Sequence, residues 1–324
     1  MIKIGSRAID TNIFLAPLAG CADLSYRLVC REHGAGLAFY EMADVNSIVR
    51  AQGKNKDLFM PHPDDRPVAA QLLGSEPELT LEAARCLLAL VKPVFIDINA
   101  ACPVKKVMKK RSGAYFMLEP DRLYRIVEKL AANLDLPVTV KMRVGFNHID
   151  QNHLVSLAKN LEKAGAAALF VHGRTRRQLY HGKVDYPSIR AVKRAVSIPV
   201  FGSGDVLSPQ LAKKMFEETG CDGILVARGS QGSPWIFDQI RDYLKTGVLP
   251  EQVTLERKKR VLLRHLEYMQ ELRQSRPSNK MGLMRKMALY YLYDFPNAAK
   301  IRGSITPLKS YKALVEKIEG IPLG

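Results

Sequence analysis

Acidic side chains are scarce in this chain relative to basic ones. Thirty-two Asp and Glu stand against 49 Lys and Arg in 324 residues, a formal charge of +17 at pH 7. Such a balance implies a polyanionic partner, either nucleic acid or an anionic membrane surface. Cysteine is sparse too: five occur, at 21, 30, 86, 102 and 221, with no CxxC pair. That argues against a disulfide framework or a zinc site, and for a reducing cytoplasm. No run of about 18 apolar residues is present, so a membrane-spanning helix is not expected. The start, Met1-Ile2-Lys3-Ile4-Gly5, lacks the basic, apolar, small-residue order of a secretory signal. The C-terminal region shows no zipper-like heptads, and a monomer without an obligate protein partner is expected.

What the chain does contain is one repeated theme. Short apolar runs at Ile13–Ala16, Leu37–Met42, Val68–Leu73, Val94–Ile98, Val138–Met142, Ala168–His172, Val200–Gly202 and Gly223–Ala227 read as strands. Pro67, Pro93, Pro137 and Pro199 precede four of them, as suits a turn feeding a strand's first residue. Amphipathic stretches such as Pro77–Leu90, Asp121–Leu134 and His153–Ala164 alternate with the runs. Eight strands alternating with helices predict an α/β fold, a (β/α)8 TIM barrel. A doubly wound sheet would want GxGxxG after the first strand, where Pro17-Leu18-Ala19-Gly20 stands instead. Beyond Arg228 the theme ends. A short helix to Leu244, a linker through Gly247 and Pro250, and helices marked by Leu262, Leu266 and Met269, by Leu283, Met287 and Tyr290, and by Leu314 and Ile318 predict a small helical bundle. The expected division is a barrel over 1–244 and a helical domain over 250–324. The latter holds 15 Lys and Arg against 7 Asp and Glu, or +8 of the total +17.

Barrel active sites are built at the carboxyl ends of the strands. There the chain offers Pro17, Leu18 and Ala19, then Glu41 and Met42, then Gln71, then Asn99 to Cys102, then Lys141 and Arg143, then His172 to Arg176, then Gly202, Ser203, Gly204 and Asp205, then Ala227, Arg228 and Gly229. The last two turns lie where barrels commonly bind phosphate, with glycines that let backbone N–H groups approach the anion. Lys141 suits a Schiff-base nucleophile, an anion ligand or a partner for an electron-rich cofactor edge. Gln71 is a neutral donor and acceptor suited to a flavin or nucleobase edge. Together with a phosphate site these groups describe a flavin mononucleotide (FMN) pocket. Cys102, placed at a strand's exit rather than inside it, is available for chemistry.

Leu15-Ala16-Pro17-Leu18-Ala19-Gly20, the run from Asp97 to Val107, Val140-Lys141-Met142-Arg143 and Val171 to Arg176 resemble, in order, the motif set of the tRNA-dihydrouridine synthases. The match continues through Gly202 to Asp205, Ala227 to Trp235, Arg285-Lys286 and Arg302, and the bacterial B-type branch is nearest. The resemblance implies an FMN enzyme that uses NADPH to reduce the C5–C6 bond of D-loop uridines in tRNA. It implies FMN contacts from Pro17 to Ala19, Gln71, Lys141, His172, Ser203 to Asp205, Ala227 and Arg228. Cys102 would be the proton donor. Asn99 would be a uracil contact. Because tRNA tertiary pairing hides its uridines, the base is expected to flip into the barrel mouth and meet Asn99, Lys141 and Arg174 or Arg176. Arg285, Lys286 and Arg302 would meet the tRNA. No metal is implied.

Two further expectations concern the thiol's surroundings. Lys105, Lys106, Lys109, Lys110 and Arg111 follow Cys102 closely and should lower its pKa until RNA phosphates neutralise them. Ala101 stands where the family usually has Gly, and Ser203 where it usually has Asn, so loop geometry there is expected to differ. The alternatives are an FMN barrel acting on a free pyrimidine, like a dihydroorotate dehydrogenase, and a catalytically dead RNA-binding barrel. The first has no need of +17; the second has none for Cys102, Lys141 and His172.

Overall fold

The computed structural model describes residues 1–50, 59–272 and 277–322, without the side chains of 277–279. Eight parallel strands form the barrel: β3 (Ile13–Leu15), β4 (Ala38–Phe39), β6 (Val68–Leu73), β7 (Ile96–Ala100), β8 (Val138–Arg143), β9 (Ala166–His172), β10 (Val200–Ser203) and β11 (Gly223–Val226). They run in the order β3-β11-β10-β9-β8-β7-β6-β4, and a parallel bridge between Phe14 and Leu37 closes the ring. A two-residue strand, β5 (Ala43–Asp44), pairs with β6 off this path. All eight strands expected from the sequence are present. Between them lie α1 (Leu24–Glu32), α2 (Val45–Arg50), α3 (Pro77–Leu90), α4 (Lys105–Met108), α5 (Pro120–Asn133), α6 (Gln151–Lys163), α7 (Tyr186–Ala195) and α8 (Pro209–Thr219). Proline at the first turn starts α3, α5, α7 and α8, where its missing N–H is no loss.

The barrel interior is filled with rings. Phe14, Phe39, Phe95, Phe170 and Phe201 are wholly buried, and Phe14 stacks on Phe201 at 4.6 Å between centroids. The opposite mouth is plugged by a feature the sequence reading missed. The hairpin of β1 (Ile2–Ile4) and β2 (Arg7–Ile9) turns Ile4 and Ile9 into this same cluster. Because strand side chains alternate, the residues two steps beyond the rings face inward at the rim. Phe95 is followed in this way by Asp97 and Asn99, Phe170 by His172, and Phe201 by Ser203.

After β11 come α9 (Ile236–Thr246), α10 (Leu255–Leu272), α11 (Pro277–Tyr291), α12 (Ala298–Ile305) and α13 (Tyr311–Glu319). The sequence reading did not foresee α12. Thr254 caps α10, its hydroxyl accepting the Arg257 N–H at 3.2 Å. The tail packs on the barrel rather than trailing from it. Tyr26 of α1, His265 of α10, Tyr291 of α11 and Trp235 are buried together in ring contacts of 5.7–6.3 Å.

Candidate functional site

Strand register sets the rim. Gln71 lies beside Asp97, Asn99 beside Lys141, Arg143 beside His172, and His172 beside Ser203. These ends and the loops after them enclose a cavity of about 390 Å³. It is lined by Pro17, Leu18, Ala19, Gln71, Asn99, Cys102, Lys141, His172, Ser203, Gly204, Asp205, Ala227, Arg228 and Lys286, all singled out from the sequence. Arg174, Arg176, Arg285 and Arg302 lie outside that lining.

Cys102 sits at the cavity wall on a tightly held loop. The Asn99 side-chain oxygen accepts the N–H groups of Ala101 and Cys102, at 3.0 and 2.9 Å. Arg143 donates to the Ala101 carbonyl at 2.7 Å and to the Thr175 carbonyl at 2.9 Å, tying this loop to the one after β9. Burial pushes the thiol's pKa up; the Val104 N–H, Arg143 and Lys141 oppose that push. This corrects the expectation about the lysine run, for its cations are not among the groups acting on the thiol. They occupy or follow the exposed α4, where Lys110 pairs with Asp44 at 2.8 Å. Ala101 needs no glycine, since its backbone is outside the left-handed region.

The glycine this loop does require is Gly113. It takes φ +63°, and a Cβ there would lie 2.8 Å from the Cys102 carbonyl oxygen. Gly113→Ala should cost about 1–3 kcal/mol and slow turnover by displacing the thiol. Gly303→Ala, inside α12 with nothing within 4 Å, should leave turnover unchanged and raise stability by roughly 0.5–1 kcal/mol; thermal melts and initial rates check both.

Lys141 has no ion pair among the described residues, and burial, with the Arg143 charge second, lowers its pKa to about 8. His172 is pushed well below the usual imidazole value, by burial first and then by Lys141, Arg143, Arg174 and Arg228. It is therefore neutral at pH 7, and its buried Nε2 has no hydrogen-bond partner. A buried orphan nitrogen requires an explanation; a ligand in the cavity supplies one.

On the far side, Gly204 takes φ +123° and Asp205 φ +49°, making a sharp turn after β10. Asp205 accepts from Arg174 through both carboxylate oxygens and from Arg228 at 2.6 Å. Arg174 is itself 2% exposed and also donates to the His181 and Gly182 carbonyls, at 3.0 and 2.6 Å. The sequence reading offered it to substrate; its geometry makes it a brace for this turn. Arg176 lies over the Phe146 ring, and Arg302 over Tyr293, at 5.5 and 5.7 Å. Arg285 donates to the Leu308 carbonyl, while Lys286 Nζ reaches across to the Gly20 carbonyl at 3.1 Å.

Several lining residues were not among the sequence candidates. Tyr180, 53% exposed, stands between the guanidinium groups of Arg143 and Arg228, 5.9 and 5.2 Å from its ring centre. No pattern in its loop announced it. Arg143 and Met42, by contrast, stand at strand ends that the sequence already places on this rim, and both line the cavity, although the sequence assigns them no role. Asp97 and Thr139, which lie beneath the lining, were legible only from the inward alternation of β7 and β8.

A neutral imidazole with a free nitrogen, an unpaired ammonium and a buried amide on one wall, with arginine and glycine turns opposite, fit a flavin's polar edge and phosphate. A closed parallel barrel with this mouth is a flavin-dependent oxidoreductase. The chain belongs to the dihydrouridine synthase family, whose model matches residues 14–319. It is 38% identical over 317 residues to tRNA-dihydrouridine synthase B of Pseudomonas aeruginosa, covering 97% of this chain and 93% of that one. It is 34% identical over 319 residues to tRNA-dihydrouridine synthase B of Vibrio vulnificus, covering 98% of each. Among solved structures, a morphinone reductase variant in complex with tetrahydroNAD superposes with a TM-score of 0.56 at 12% identity, over 74% of this chain and 89% of that one. That likeness concerns the fold alone.

Proposed function

We propose that this protein converts D-loop uridines of tRNA to dihydrouridine, with FMN as its flavin, NADPH as reductant and Cys102 as the proton donor. The observation that carries the reading is the convergence of Cys102, Lys141 and His172 on one cavity at the barrel's C-terminal mouth. Bound flavin supplies the hydride for uracil C6. The chain's own residues do the rest. Cys102, kept protonated by burial, holds the proton that C5 needs. Lys141 presents positive charge to an electron-rich edge, and His172 Nε2 offers a neutral ring nitrogen. Arg228 and the 203–205 turn face the phosphate end.

Asn99 has no spare capacity in this arrangement. Its oxygen takes two N–H groups, and its amide nitrogen donates to Gln71 Oε1 at 2.8 Å and to the Met42 sulfur at 3.4 Å. The thioether is the weakest of these partners, so a uracil carbonyl would replace Met42. Unstacking the base costs a few kcal/mol, offset by phosphate contacts to the basic surface. We assign the flavin chemistry to residues 1–244 and the main tRNA contacts to 250–324, in a monomer whose tail packs on its own barrel. No helix among the described residues is long and apolar enough to cross a membrane, and we place the enzyme with its substrate in the cytoplasm.

The test is direct. Purified protein should be yellow, bleach with NADPH, and recover its colour anaerobically with tRNA lacking dihydrouridine; recovery with free uracil or orotate alone would overturn the tRNA reading. Lys286→Ala should weaken tRNA binding several-fold, with flavin content retained and the salt dependence shallower by about one unit of slope. FMN affinity of the apoprotein should fall above about pH 8, where Lys141 loses its charge. Apoprotein stability should move the other way. The folded pKa lies below the ordinary 10.5, so between about 8 and 10.5 the unfolded chain binds more protons and folding gains as pH rises. Titrations of FMN and thermal melts across that range check the two signs.

A further inference from the structure

One polar step lies inside the barrel beneath the cavity floor. Asp97 on β7 and Thr139 on β8 both face inward, both are 0% exposed, and neither lines the cavity. Just below them are the phenylalanines; just above are Asn99 and Lys141. An apolar pair would pack on those rings at no desolvation cost, whereas a buried carboxylate carries one. Burial raises Asp97 to about 6, while the Gln71 amide and the Thr139 hydroxyl, each donating to one carboxylate oxygen, and Lys141 pull it back toward the ionised form.

The hydrogen bonds above it run in one sense only. The backbone N–H groups of Ala101 and Cys102 can only donate, and both meet Asn99 Oδ1. The other end of that amide is then NH2, which donates to Gln71 Oε1 at 2.8 Å. The other end of Gln71 is therefore also NH2, and it donates to Asp97 Oδ2 at 2.7 Å. The second carboxylate oxygen takes the Thr139 hydroxyl, at 2.7 Å. Amides read equally well in either sense; a carboxylate only accepts. With an acceptor at its base the chain has one polarity, and that polarity turns an oxygen toward the loop carrying the thiol. Reversed, it would set an NH2 against two N–H donors.

We propose that Asp97, supported by Thr139, is a positioning residue for Cys102: it fixes the sense of the Gln71 and Asn99 amides and thereby the backbone of the thiol's loop. The proposal rests on the reading of Cys102 as proton donor. It makes a specific forecast of non-additivity. In Asp97→Asn the new amide can still turn its oxygen to Gln71, provided its NH2 finds the Thr139 hydroxyl as acceptor. In Thr139→Val the carboxylate alone still sets the polarity. Each single change therefore leaves one determinant in place, and the double variant leaves none.

The experiment uses the full chain with its flavin. Turnover on tRNA is measured alongside hydrogen–deuterium exchange of the Ala101 and Cys102 amides, for both single variants and the double. The singles should stay within about threefold of the parent. The double should lose kcat by about tenfold to a hundredfold with KM for tRNA unchanged, the size of effect a misplaced reacting group produces. Exchange at Ala101 and Cys102 should quicken in the double while peptides from β9 to β11 keep their protection. Additive losses, or unchanged exchange at those two amides, would overturn the proposal. Should the double lose its flavin, Asp97→Asn/Thr139→Ser, which keeps the hydroxyl, must match Asp97→Asn; equal failure of the serine variant also overturns it. Cys102→Ala is run in parallel. Full turnover there would defeat the proton-donor reading, while the exchange rates still decide the positioning.

Discussion

Cys102→Ala is expected to lower turnover on tRNA by about 10²–10⁴-fold, the range a positioned proton donor contributes, with flavin content and tRNA affinity preserved. The separation follows from where the thiol sits. Its loop is held by backbone groups, through Asn99 to the N–H groups and Arg143 to the Ala101 carbonyl, so removing Sγ leaves the loop in place. The Cys102 carbonyl also keeps its bond from the Ala114 N–H at 3.0 Å. The thiol's pKa is raised, so the group is a proton source across the neutral range rather than a thiolate. Cys102→Ser tests acidity apart from geometry: a hydroxyl fits the site but gives up its proton far less readily, and the variant should resemble alanine more than the parent. Stopped-flow reoxidation of the reduced enzyme by tRNA isolates this step from reduction by NADPH. Reoxidation by Cys102→Ala within about tenfold of the parent would place the proton elsewhere, and NADPH bleaching should be unchanged in every case.

Why the barrel was legible and parts of the site were not has a physical explanation. Strands such as Val68–Leu73 are buried along their whole length, so each leaves an uninterrupted apolar run, and proline at the entry sharpens the boundary. The hairpin of β1 and β2 escaped because three-residue strands carry no period, yet Ile4 and Ile9 are as buried as the barrel's own rings. Rim residues were found because a parallel barrel delivers strand ends to one mouth, which a linear sequence records faithfully. Charge was not recorded so faithfully. The lysines from 105 to 110 are close to Cys102 along the chain, but α4 carries them to the surface. Arg143, some 41 positions on, meets the loop carbonyl instead. Gly113 was invisible for the same reason, since its constraint comes from a carbonyl eleven residues away.

Arg174 is the residue on which sequence and structure disagree most, and Arg174→Ala separates them. As a uracil contact, its loss would leave folding intact and weaken substrate use. As a brace, its loss strips Asp205 of a two-pronged partner and leaves the His181 and Gly182 carbonyls without their donor. The guanidinium side of the pair is 2% exposed and the carboxylate 27%, with Arg228 as a second partner for Asp205. Breaking one side of a buried pair costs about 3–5 kcal/mol; the second arginine and the partial exposure favour the lower end. The melting temperature should therefore fall by roughly 5–10 °C. The turn it braces bends through Gly204 and Asp205 at positive φ, a conformation that persists only when its surroundings enforce it. FMN affinity should accordingly fall with stability, by about tenfold, because this turn is the wall assigned to the phosphate. Arg174→Lys should recover little, since one ammonium cannot serve both carboxylate oxygens and two carbonyls in the plane a guanidinium spans. An unchanged melt with impaired tRNA reduction would restore Arg174 to the substrate.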